Sequence, residues 1–88
     1  MSTGFRYSRH AQEEMRRRGI SQEIADHVLH NPEQIVLERA PRKAYQSCVD
    51  FGSGKILLVR LIVDDSVEPC VVVTAYRTSK IQKYWRQS

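Results

Sequence analysis

Two residues of this chain sit where their chemistry demands an explanation: Arg60 and His10. Arg60 interrupts the otherwise apolar stretch from Ile56 to Val63, and Leu58 and Ile62 are its neighbours on the same side of an extended chain. Removing a guanidinium from water without a partner costs several kcal/mol, of order ~3–5. Arg60 must therefore pair with an internal carboxylate, for which Glu14, Glu38 and Asp50 are the candidates, or line a concave anion site. His10 is followed at i+4 and i+7 by Glu14 and Arg17, so on a helix the three share one edge. An imidazole in that setting can serve as a general acid or base, or simply pair with Glu14 at a helix–sheet boundary.

A second group is made of hydroxyls and cations. Thr74 and Tyr76 alternate onto one face of the last apolar strand, and Tyr84 follows on a short segment that can fold back toward it. Their hydroxyls can hydrogen-bond a phosphate, and a tyrosine can also donate a proton. They are equally good strand residues for packing alone. Arg42 and Tyr45 flank a turn and can pair with and stack on a nucleotide. His27 and His30 are three apart on a helix, but no third ligand accompanies them, and no metal or other cofactor is expected. There is no Gly-rich phosphate loop, no GxSxG and no cysteine nucleophile setting. Cys48 and Cys70 are too few for a disulfide framework and read as reduced, small hydrophobes.

The elements that position these residues can be read along the 88 residues as one domain, 1–88. Ser8 suits the cap of a first helix that ends at Gly19, and Ser21 the cap of a second that ends at Asn31-Pro32. Glu13–Arg17 and Glu14–Arg18 are favourable i,i+4 pairs on the first helix. Ile24, Ala25, Val28 and Leu29 form the apolar stripe of the second. After Pro32 the period changes to that of strands, over 34–39, 43–51, 55–64 and 70–77, with a turn at Ala40-Pro41 and a hairpin at Gly52-Ser53-Gly54. Ser79 is placed to cap a short last helix. The expected fold is α+β: two N-terminal helices, a four-stranded antiparallel sheet and a short C-terminal helix.

The formal net charge is +4, and ten of the fourteen cationic residues are arginine. Guanidinium forks match phosphate oxygens in pairs, so the excess points toward a polyanion. The cations gather in the first helix, around the 39–43 turn and from Arg77 to Arg86, while Asp64, Asp65 and Glu68 share one loop. Arg17 in the first cluster and Lys80 in the last are the candidate backbone contacts there. No apolar run is long enough for a membrane span and none near the start resembles an export signal, so a cytoplasmic location is expected.

Ser8-Arg9-His10-Ala11, Arg18-Gly19-Ile20-Ser21, Asn31-Pro32 and Val72-Val73-Thr74-Ala75-Tyr76 together resemble a widespread family of small bacterial proteins known as a domain of unknown function. That family is similar in layout to the RelE-like and BrnT-like toxins, metal-independent ribonucleases of toxin–antitoxin systems. The resemblance spans roughly residues 5–85. It implies RNA as substrate, a protein antitoxin as partner, and cleavage by attack of the RNA 2′-hydroxyl on the neighbouring phosphorus. By position, His10 would be the catalytic histidine, Arg60 the sheet arginine that clamps phosphate, and Thr74 and Tyr76 the polar pair of the last strand. Arg17, Arg42, Tyr45, Lys80 and Tyr84 would bind the substrate. The alternative is a non-catalytic module of the same fold that binds RNA or a protein.

Overall fold

The computed structural model describes residues 4–87. Its elements run β1 (Phe5–Tyr7), α1 (Arg9–Arg18), α2 (Gln22–His30), β2 (Gln34–Arg39), β3 (Arg42–Asp50), β4 (Ile56–Asp64), β5 (Cys70–Thr78) and α3 (Ile81–Tyr84). The strands form one sheet in the order β1-β5-β4-β3-β2.

The helix boundaries follow from their caps. The Ser8 hydroxyl accepts from the Ala11 N–H, and the Ser21 hydroxyl from the Ile24 N–H. Gly19 turns left-handed at φ 68°, so that its own N–H and that of Ile20 return to the Arg16 and Met15 carbonyls. A residue with a Cβ is strained in that conformation. On α1 both Arg17 and Arg18 pair with Glu14, at 2.7 and 2.8 Å, so Arg17 chooses Glu14 over the expected Glu13.

Four strands are antiparallel neighbours as the turn signals require, with β3 and β4 hinged about Ser53 and Asp50 opposite Ile56. The expected four-stranded antiparallel sheet is nevertheless incorrect. Phe5–Tyr7 adds a fifth strand, parallel to β5, with Phe5, Arg6 and Tyr7 opposite Cys70, Val71 and Val72. Three residues are too few to show a strand period, and the pairing partner lies at the other end of the chain. The sheet is mixed because β1 enters in the same direction as β5, and Ser8 then donates its N–H to the Val72 carbonyl before α1 begins.

Alternation divides the sheet into two faces. Ala11, Met15, Ala25, Val28 and Leu29 from the helices, with Ile20 from the turn between them, pack on Val59, Leu61, Val63, Val72 and Ala75, all buried. Each of the larger side chains there contributes roughly 1.5–3 kcal/mol by leaving water. The opposite face carries Ala44 and Gln46 on β3, Leu58, Arg60 and Ile62 on β4, and Thr74 and Tyr76 on β5. A register shift in β5 between the partners of Ile62 and Val63 lets Val72 and Ala75 both face the helices.

The short last helix forms, but Lys80 precedes it without a side-chain cap. The Thr78 hydroxyl instead accepts from the Lys80 N–H. Side chains from the sheet hold this segment in place. Gln34 donates to the Arg86 carbonyl and accepts from the Arg86 N–H, at 2.9 and 3.0 Å, while Gln46 donates to the Tyr84 carbonyl.

Candidate functional site

Arg60 sits at the centre of the face opposite α1 and α2, only 3% exposed. The register places Gln46 beside it on β3 and Tyr76 beside it on β5. Its Nε donates to Gln46 Oε1 at 2.7 Å, one terminal nitrogen to the Tyr76 hydroxyl, and the other to Glu38 Oε1 at 3.2 Å. The Tyr84 ring closes the remaining side, with the guanidinium carbon 4.4 Å from the ring centroid. Gln46 is itself fully buried, and its amide donates to Gln34 Oε1 at 2.8 Å. The charge is thus buried with a carboxylate, two oxygen acceptors and an aromatic face, the combination that makes its desolvation bearable.

Of the two fates the sequence left open for Arg60, pairing with Glu38 is the one observed. The concavity on this face lies beside Arg60, which is not part of its lining. An open groove of about 720 Å³ runs along the same face, lined by Glu38, Arg39, Ala40, Pro41, Arg42, Ile62, Thr74 and Tyr76. Arg60 stands behind the groove wall, holding two of the side chains that face into it. Arg39 and Arg42 are exposed where the β2–β3 turn forms one rim.

Two features of the groove matter for proton chemistry. Burial pushes the Tyr76 hydroxyl above the ordinary tyrosine value, and the Arg60 guanidinium opposes that rise. Tyr76 therefore stays protonated at neutral pH, with its oxygen already accepting from a cation and its own proton free to donate. Glu38 uses Oε1 for Arg60 and, among the described residues, Oε2 has no partner.

The expected site residues separate into groups. Arg60, Tyr76 and Tyr84 are brought into contact, and Thr74 and Arg42 line the adjoining groove. His10 is exposed on α1, whose Ala11 and Met15 pack on the other face of the sheet. Arg17 is exposed on the same helix and engaged with Glu14. Tyr45 alternates to the helix side, where its ring meets Phe5 edge-on at 5.8 Å, away from Arg42. Lys80 is exposed just before α3. Gln46 is not singled out by the sequence, Arg39 only as one of the cations around the first turn, and Glu38 only as one of three counterions. The signal for Gln46 was present: it and Arg60 lie symmetrically about Ser53 in the Gly52–Gly54 hairpin.

The domain of unknown function DUF4258 matches residues 7–77, from the end of β1 through nearly all of β5. The chain belongs to the DUF4258 family. Within it, the match takes in Arg60, Gln46, Glu38 and Tyr76 but ends before α3, so Tyr84 lies beyond the matched span. No curated protein and no solved structure matches the chain. No helix among the described residues is long and apolar enough to cross a membrane.

Proposed function

We propose that this DUF4258 protein is a metal-independent endoribonuclease similar to the RelE-like and BrnT-like toxins, held in check by a protein antitoxin in the cytoplasm. The observation that carries the reading is the groove, whose lining brings Arg39 and Arg42 together with Thr74, Tyr76 and the carboxylate Glu38 on one open face. Cations at a rim and neutral donors on a floor suit a phosphodiester, whose charge the guanidinium forks match and whose remaining oxygens accept from hydroxyls. RNA carries its own nucleophile, the 2′-hydroxyl, so the protein need only bind the phosphate, move two protons and stabilise the crowded phosphoryl oxygens. The products would be a 2′,3′-cyclic phosphate and a 5′-hydroxyl.

The placement of His10 favours a second reading. With its helix on the far side of the sheet, the histidine is separated from the Arg60 cluster. The remaining residues fit a module that binds RNA without cutting it. Incubation of folded protein with mixed RNAs in excess EDTA separates the two. Cleavage that Arg42→Ala weakens supports the nuclease; intact RNA with salt-sensitive binding supports the module; neither cleavage nor binding overturns both.

A further inference from the structure

We infer that Glu38 and Tyr76 are the proton-transfer pair of the groove, Glu38 accepting a proton and Tyr76 donating one, with Arg60 as the positioning residue that aligns both. This rests on the RNA-cleaving reading and assigns its chemistry to particular atoms.

The geometry behind it is a single fork. Glu38 Oε1 and the Tyr76 hydroxyl each accept from a different terminal nitrogen of the same guanidinium. A guanidinium is planar, so two groups bound to its two terminal nitrogens are held side by side in one plane. The third nitrogen is fixed by buried Gln46, and the Tyr84 ring seals the side away from the strand. Arg60 therefore has little freedom, and it offers Glu38 and Tyr76 two fixed donors. Both groups face the groove, Glu38 with 38% of its side chain exposed and Tyr76 half-buried.

Their hydrogen-bonding roles are complementary. Glu38 carries a carboxylate oxygen that is free among the described residues, and Tyr76 an O–H whose oxygen is bound by a cation. A phenolate formed by proton loss would be stabilised at once by the Arg60 charge, which already pulls against the effect of burial. His10 is not needed for either proton.

In the reaction, Glu38 takes the proton of the 2′-hydroxyl as the 2′-oxygen forms its bond to phosphorus. The bond from phosphorus to the 5′-oxygen breaks, and Tyr76 gives that oxygen its proton. The products are the cyclic phosphate and the free 5′-hydroxyl. Glu38 is left protonated and Tyr76 ionised, and one proton passed back through solvent restores both. No oxidant, reductant or further reactant is required.

The test uses two short RNAs, one with the ordinary 5′-oxygen leaving group and one with sulfur in its place, both in EDTA. Sulfur leaves as a thiolate and needs no proton. On the ordinary RNA, Glu38→Gln and Tyr76→Phe should each lower the single-turnover rate by about 100- to 10,000-fold. On the sulfur RNA, Tyr76→Phe should recover to near the wild-type rate, while Glu38→Gln should not. Glu38→Gln keeps an oxygen acceptor for Arg60, and circular dichroism confirms that each variant is folded. Wild-type cleavage with an equally active Glu38→Gln, or a Tyr76→Phe defect that sulfur does not relieve, overturns the assignment alone. If Glu38→Gln does not fold, the Tyr76→Phe comparison decides by itself. A wild-type protein that leaves both RNAs intact overturns the nuclease reading and these roles with it.

Discussion

The guanidinium of Arg60 lies over the ring of Tyr84, 4.4 Å from its centroid, and so joins the middle of the sheet to the C-terminal segment. The same segment is held through backbone atoms of Tyr84 and Arg86 by the amides of Gln46 and Gln34. Cation–π attraction at a desolvated site is worth about 2 kcal/mol. Tyr84→Ala should therefore lower stability by about 2 kcal/mol, measured by urea unfolding, and Tyr84→Phe should change it little because the ring is kept. Equal losses in the two variants would mean that the hydroxyl, not the ring face, matters.

Arg60→Ala should be more damaging. It leaves fully buried Gln46 Oε1 without its donor and Glu38 without its counterion. An orphaned buried acceptor alone costs about 1–3 kcal/mol. Arg60→Lys should restore only part of this loss, since an ammonium cannot reach three acceptors in one plane. Denaturant midpoints for the two variants and the wild type give the comparison, and an unchanged midpoint for Arg60→Ala would refute the account of this cluster.

At the C-terminus of α1, Gly19→Ala should destabilise the protein by about 1–2 kcal/mol. Its φ of 68° is costly for a residue with a Cβ, and the added methyl would lie 3.4 Å from the Arg77 guanidinium. Thermal unfolding measures the effect; a stabilised variant would show that the left-handed cap is not retained.

The pH dependence of stability and of activity should differ in origin. The Arg18 hydrogen bond to Glu14, together with the Arg17 and Arg18 charges, holds that carboxyl below its ordinary value. A depressed folded value means that the contribution is present above the ordinary carboxylate range and lost as pH falls through it. Glu14→Gln should therefore flatten the acid side of the stability profile. Tyr76 has the opposite sign, raised by burial, so its proton is kept from neutral pH up past the ordinary tyrosine value of 10.0. Cleavage should show no loss attributable to Tyr76 below that point, and a basic limb near neutrality that Tyr76→Phe removes would contradict the assignment.

Local chemistry made much of this fold legible. Ser8, Gly19, Ser21 and Asn31-Pro32 bound the helices because each cap is satisfied within a few residues of itself. Arg60 stood out because a charge within an apolar strand must find a partner. What stayed hidden depended on distant pairing. Phe5–Tyr7 becomes a strand only because the start of β5 is there to receive it. Glu38 could not be chosen over Glu14 and Asp50, because its place is set by the irregular register between Leu37 and Arg39 across from β3. The same alternation that put Arg60, Thr74 and Tyr76 on one face sent Tyr45 to the other, a separation that proximity to a turn does not reveal.

The groove beside Arg60 is proposed to cleave RNA. The most direct measurement is the chemistry of RNA ends after incubation with the purified, folded protein in excess EDTA. The expected result is fragments with 2′,3′-cyclic phosphate and 5′-hydroxyl ends, and their loss with Tyr76→Phe. RNA left intact, or fragments carrying 5′-phosphates, would contradict it.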